Sequence, residues 1–192
     1  MKAEHAISSR YFSNLRLAID CLNFDKIDEA VKLIEQKWRN GNQVIVIGNG
    51  GSSLTALHYV NDWNKSIFLA TGRPFYGRTL VDNIGLLMSY ANDISFEDIF
   101  VEQLKNILKV NDLVIALSGS GNSENIIRAI EYANLNGAAT LGVCGFQGGR
   151  LSKVSQHHIC SRIDDMQLSE DIHFVFGHIV MLHLCSKAVG NN

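Results

Sequence analysis

Two small-residue loops and two side-chain pairs carry the chemistry of this sequence. The first loop, Gly48-Asn49-Gly50-Gly51-Ser52-Ser53, stands between a β-branched run and a helix-like segment. At such a junction free backbone N–H groups and the helix dipole favour an anion. The second, Ser118-Gly119-Ser120-Gly121-Asn122-Ser123, repeats that position and adds three hydroxyls around two glycines. Hydroxyls and helix N-terminal amides together can surround the three oxygens of a terminal phosphate without cationic side chains. Taken singly, each loop also reads as a tight turn with an N-capping serine; two at equivalent positions favour phosphate binding. Neither is a Walker A loop, because no Gly-Lys-Ser/Thr closes it, and the third glycine of a dinucleotide fingerprint would fall at Ser53. No nucleotide cofactor is expected.

His58 and Asp62 stand four residues apart in the segment after the first loop. On a helix they share one face and can converge on one ligand as half of a metal site. The plainer reading of Asp62 is a surface carboxylate beside Lys65. Glu170 and His178, on the last helix-like segment, are eight residues apart, or about 12 Å of rise on a continuous helix. They can serve one ion only if Glu170 lies at a fraying helix start or the two act from different subunits. His173 and His183 share that segment, so His178 also reads as a structural histidine. His157-His158 reads as structural, and Trp38 and Trp63 as packing or interface residues.

The elements that must position these groups follow from the apolar pattern. From about Ala3 to Arg39 the spacing predicts two helices broken at Asn23-Phe24-Asp25. Gln43–Ile47, Asp112–Leu117, Ala139–Cys144 and His157–Cys160 read as buried strands, with Thr79–Val81 a further short one. Ser53–Asn64, Ser123–Asn136 and about Ser169–Val189 read as helices, while Ile67–Asn92 gives little pattern beyond a loop at Arg73-Pro74. Strands alternating with helices indicate an α/β sandwich. The 192 residues, 46% hydrophobic and 19% charged, fit one domain, with residues 1–40 a helical N-terminal region and 41–192 an α/β core.

A formal net charge of −2 provides no basic field for nucleic acid or an anionic membrane. No stretch approaches the about 18 apolar residues of a membrane span, and the N-terminus does not resemble a signal peptide, so a cytoplasmic location is expected. The four cysteines show no CxxC spacing, sit in apolar runs and read as buried thiols.

GNGGS at Gly48–Ser52, Asn92-Asp93 followed by FEDIF at Phe96–Phe100, and SGSGNS at Ser118–Ser123, in this order and between these strands, resemble the sugar isomerase (SIS) domain family. Within it they resemble phosphoheptose isomerases, which interconvert sedoheptulose 7-phosphate and a heptose 7-phosphate. The resemblance covers nearly the whole chain. It implies a flavodoxin-like parallel sheet in a three-layer sandwich, and a homotetramer whose sites draw on more than one subunit. Ser118, Gly119, Ser120 and Ser123 would hold the phosphate, with Asn49, Gly50, Gly51, Ser52, Asn92 and Asp93 on the rest of the sugar. His58, Asp62, Glu170 and His178 fall where zinc-dependent members carry His, Glu, Gln and His, which implies a Zn²⁺ set and places Glu170 at the substrate. Asp62 would be the base and His178 the acid of an enediol isomerisation, with a metal polarising the carbonyl.

Three positions depart from that pattern. Gly119 replaces a threonine, Asp62 shortens a glutamate by one methylene, and Glu170 adds a charge where a glutamine is usual. These departures sustain an alternative: a catalytically silent SIS domain that senses a phosphosugar or binds a protein partner. The set with Asp62 and Glu170 is still suited to Zn²⁺.

Overall fold

The structure is a computed structural model and describes residues 7–187. Its centre is a five-stranded, fully parallel sheet ordered β2-β1-β3-β4-β5: β1 (Val44–Gly48), β2 (Gly77–Thr79), β3 (Leu113–Ser118), β4 (Ala139–Cys144) and β5 (His157–Cys160). Val44 pairs with Gly77 on one side and Leu113 on the other. The Val, Ile and Leu runs of β1 and β3 are buried on both faces, as a helix-covered parallel sheet requires. Alternate residues serve opposite layers. Val44, Val46, Leu113, Ile115 and Leu117 pack against α2 (Phe24–Arg39), α3 (Gly51–Asp62) and α9 (Met166–Ser186). Ile45, Ile47, Val114 and Ala116 face α6 (Ile99–Ile107), α7 (Glu124–Leu135) and α8 (Leu151–Val154). The expected three-layer sandwich is therefore present, and the strand order is the flavodoxin-like one.

That order fixes where a ligand binds. After β1 the chain moves outward to β2, and after β3 it moves the opposite way, so β1 and β3 flank the point where the winding reverses. The crevice outside the C-terminal ends of two such strands is open to a ligand. Both small-residue loops begin there.

Local chemistry sets most element ends. α1 (Ile7–Asp20) and α2 form the expected pair, and Asn23 caps α2 by accepting from the Lys26 N–H at 3.1 Å. Residues 3–6 of the predicted first helix, and 188–189 of the last, lie outside the described residues. Gln43 and Asp112, expected within strands, lie just ahead of them. The Asp112 carboxylate accepts from the Gln43 backbone N–H and side-chain amide, both at 3.0 Å, which ties the entrances of β1 and β3 together. The last helix starts at Met166, three residues before the expected Ser169, because Asp165 caps it through the Leu168 N–H at 3.1 Å.

The weakly patterned stretch holds more order than its sequence suggests. α3 runs on through a π-helical turn, Trp63–Ile67, into α4 (Phe68–Thr71), which ends at Gly72 with φ +71°. β2 lies two residues before the expected Thr79–Val81. α5 (Ile84–Asp93), capped by Asn83, buries no residue fully. Among the cysteines only Cys144 is fully buried; Cys160 and Cys185 are half-buried, and Cys21 is exposed at the α1–α2 break, which corrects the expectation of buried thiols. Trp38 and Trp63 are core residues as expected. No helix among the described residues is long and apolar enough to cross a membrane.

Candidate active site

The first loop leaves β1 at Gly48, where a side chain would collide with the backbone of Ser52 at 2.6 Å. Gly50 then turns with φ +52°, a conformation few other residues adopt, and α3 begins at Gly51. The second loop leaves β3 at the buried Ser118, whose Oγ accepts from the Gly121 N–H at 3.2 Å, while the Asn122 N–H donates to Ser120 Oγ at 3.3 Å. Asn49 and Asn125 join the loops: each side-chain amide donates to the other's oxygen, at 2.8 and 3.0 Å. Asn125 was not singled out in the sequence, although its place two residues after Ser123 gave a signal.

The two loops, Met166 and Glu170 line a pocket of about 280 Å³. Asn49, Gly50, Gly51, Ser52, Ser118, Gly119, Ser120, Ser123 and Glu170 all reach it, and among the described residues no Lys or Arg does. Affinity for an anion therefore has to come from N–H and O–H donors. Asn92 and Asp93 are not at this pocket; they stand exposed at the end of α5, where the Asn92 amide donates to Asp93 Oδ1 at 2.8 Å. At Gly119 a Cβ would lie 2.2 Å from Met166 Sδ, so a larger residue there would need the Met166 side chain to move. The thioether thus occupies the space a side chain at 119 would fill.

Glu170 has its own place in this pocket. Its carboxylate oxygens lie 3.1 and 3.3 Å from the position of a Cβ on Gly51, at the N-terminus of α3. A carboxylate there lies at the positive end of the α3 dipole and occupies one of the two anion-favouring helix starts. The start of α7, at Ser123, stays free of that carboxylate.

The second cluster lies farther along the same helices. His58 Nε2 is 3.1 Å from Asp62 Oδ2 and 3.1 Å from His178 Nε2, and His178 Nε2 is 3.8 Å from Asp62 Oδ2. One ligand atom from each residue lies within 4.8 Å of the others, and all three side chains are half-buried. Two imidazole nitrogens and a carboxylate oxygen converging in this way form a donor set suited to a divalent cation. Glu170 is outside the cluster. α9 is continuous from Met166, so Glu170 is in its second turn rather than at a frayed end, about 12 Å along the axis from His178. Within this chain the expected four-residue set separates into three ligands and one pocket residue.

The cluster depends on α3 and α9 lying side by side with the same direction. Gly51 faces Glu170, Tyr59 faces Gly177, and His58 meets Phe174, whose ring centroid is 4.4 Å away, and His178. A Cβ on Gly177 would lie 2.1 Å from Tyr59 Cε1, so only glycine permits this approach. The Trp63 indole donates to the Gly177 carbonyl at 2.9 Å, and the buried Tyr59 hydroxyl donates to the His173 carbonyl. Burial pushes the Tyr59 pKa upward. Gly177, Tyr59 and Phe174 escaped the sequence reading; a lone glycine inside a long apolar helix was the available signal.

A family model described as SIS domain matches residues 10–145. The chain belongs to the SIS domain family. It is 32% identical over 156 residues to the phosphoheptose isomerase of Rhodospirillum rubrum, covering 80% of this chain and 81% of the relative. Among solved structures, the phosphoheptose isomerase from Neisseria gonorrhoeae superposes with TM-score 0.84 at 20% identity, covering 93% of this chain and 97% of the other. That from Francisella tularensis gives 0.83 at 24%, covering 97% and 100%. These two share the SIS fold with this chain.

Proposed function

We propose that this SIS-domain chain is a phosphoheptose isomerase, converting sedoheptulose 7-phosphate to the aldose heptose 7-phosphate. The observation that carries the reading is the pairing of two sites on the same helices: a hydroxyl-rich anion pocket at the C-terminal ends of β1 and β3, and a His58–Asp62–His178 cluster farther along α3 and α9. A phosphorylated sugar has the matching polarity, with an anion at one end and a carbonyl at the other.

Glu170 orients the substrate. Its carboxylate holds the α3 start, so the phosphate takes the serine loop and the α7 start, where Ser118, Ser120 and Ser123 supply hydroxyls. The sugar hydroxyls then pass Glu170, a strong acceptor, and the carbonyl end runs toward His58. Asp62 removes the proton from C1 while His178 protonates the C2 oxygen, giving the enediol. Return of a proton to C2 and loss of the C1 hydroxyl proton give the aldose. His58, Asp62 and His178 would hold a zinc ion, which when bound polarises the carbonyl. The second Asp62 oxygen accepts from the Asn61 amide at 3.2 Å, which fixes the carboxylate's orientation.

The site extends to a second subunit. Leu54 and Leu57 on α3, with Ile84 and Met88 on α5, are exposed around an apolar hollow of about 410 Å³ that adjoins the glycine loop. A second copy covering this surface would bring side chains to the pocket's open side, including an Asn92-Asp93 pair, in a homotetramer. Proton NMR with sedoheptulose 7-phosphate, on metal-stripped protein and again with Zn²⁺, tests the reading: aldose anomeric signals should appear with Zn²⁺. Ligand line broadening with no conversion in either sample would overturn it and favour a phosphosugar-sensing module.

A further inference from the structure

Cys144 ends β4, Cys160 ends β5, and the two are direct register partners. Adjacent strands lie about 4.8 Å apart, within the roughly 4.4–6.8 Å of Cα separation that a disulfide spans. Both side chains belong to the sheet face covered by α7 and α8. Cys144 is buried and Cys160 half-buried, so one thiol is accessible and the other stands behind it. The Cys144 S–H donates to the Ile159 carbonyl at 3.2 Å, while the neighbouring Cys144 and then Arg162 lower the pKa of the Cys160 thiol against the opposing effect of its burial. The accessible sulfur is thus the better nucleophile of the pair.

The same sulfurs touch the support of the serine loop. Cys160 Sγ lies 3.6 Å from the Gly145 carbonyl oxygen and 3.5 Å from that of Phe146. Gly145, which follows Cys144, donates its N–H to the Gly119 carbonyl at 2.9 Å, and the Leu151 N–H donates to the Gly121 carbonyl at 2.8 Å. A Cβ on Gly145 would lie only 2.8 Å from the Gly119 oxygen, so there is no slack between this segment and the loop.

We infer that Cys144 and Cys160 form an oxidisable dithiol, which a low-molecular-weight disulfide such as glutathione disulfide converts to a cross-strand disulfide that weakens the serine loop's hold on its anion. In the first step the Cys160 thiolate attacks one sulfur of glutathione disulfide, forming a mixed disulfide and releasing one glutathione thiolate. Cys144 then attacks the Cys160 sulfur, its proton passing to the departing sulfur, and the second glutathione leaves as a thiol. Two cysteines are oxidised and one glutathione disulfide becomes two thiols. Bringing the two sulfurs to bonding distance pulls Cys160 Sγ off the Gly145 and Phe146 carbonyls, which disturbs Gly145 and, through its N–H bond, Gly119.

The test is thiol mapping on the full chain, incubated with glutathione disulfide, alkylated with iodoacetamide, digested and weighed. The expected result is protection of Cys144 and Cys160 joined in one disulfide-linked peptide, with Cys21 and Cys185 alkylated, and reversal by dithiothreitol. The KM for the phosphosugar should rise at least about fivefold in the oxidised protein, the low end of ordinary coupling between sites. A mixed disulfide persisting on Cys160, or four alkylated thiols, would overturn the dithiol. A disulfide that leaves KM unchanged would overturn its coupling to the loop. The mapping needs no variant and no catalytic activity, so it stands apart from the isomerase assignment.

Discussion

The serine pocket and the His58–Asp62–His178 cluster are built in different ways. The pocket is local: two loops, each emerging from a buried parallel strand and entering a helix, with donors supplied by backbone and short hydroxyl side chains. The cluster depends on tertiary packing, because α3 contributes two members and α9 the third, and their meeting rests on Gly177 against Tyr59. The first holds charge without carrying any titratable hydroxyl; the second is made of groups that exchange protons. Binding and chemistry can therefore be broken separately.

The sharpest separation is kinetic. Asp62→Asn keeps the size and helix position of the side chain but removes the proposed base, and kcat should fall about 10²- to 10⁴-fold, with KM changing little. Ser120→Ala should do the reverse, raising KM roughly 10- to 100-fold, since a hydrogen bond to a charged group is worth about 1.5–3 kcal/mol. Steady-state kinetics on both variants is the measurement. If both lower kcat alone, the division between the regions fails.

Gly177→Ala tests the dependence of the cluster on helix docking. In an isolated helix that change would gain about 1 kcal/mol. Here the added methyl meets the buried Tyr59 ring at 2.1 Å, and α9 must shift. The expected net result is a loss of about 1–3 kcal/mol in urea unfolding, with Zn²⁺ affinity falling and inorganic phosphate binding held within a few-fold. Unchanged stability would mean the two helices tolerate separation, and the cluster would then be more plastic than its packing implies.

The same contrast explains what could be read in the sequence. Strands β3 and β4 and both loops were legible because each signal lies within a few consecutive residues: a β-branched run, then glycines and serines. His58 and Asp62 were legible as a pair because four residues span one helical turn. Their junction with His178 was not, since no local pattern reports that Gly177 lets α9 approach α3. α5 was missed for another reason: it buries no residue fully, so its apolar positions do not follow the stripe that marks a packed helix. Glu170 lines the serine pocket rather than the His58–Asp62–His178 cluster of the same chain, as the helix rise from Glu170 to His178 requires, and its expected share in a metal set would need a second subunit. Cys21 was read as buried from its apolar neighbours, although it falls where α1 ends.

Acid should separate the regions by the smallest margin. His173 on α9 is 2% exposed and has no well-formed hydrogen bond at either ring nitrogen. Burial holds its pKa down at about 4, with the Cys144 backbone pulling weakly the other way. In the unfolded chain an ordinary histidine titrates near 6.5. Between these values the unfolded state binds a proton that the folded state refuses, so this contribution to stability is complete above about pH 6.5 and is lost as pH falls toward 4. The slope is at most about 1.4 kcal/mol per pH unit. No serine of the anion loop titrates in that window, whereas α9 carries the strain, so fluorescence from Trp63, buried against Gly177, should report loosening while phosphate binding persists. His173→Leu removes no hydrogen bond that is well made and should flatten the acid limb of urea stability relative to the unaltered chain. Parallel limbs in the two proteins would mean that His173 is not the group through which acid reaches the helix-borne half of the site.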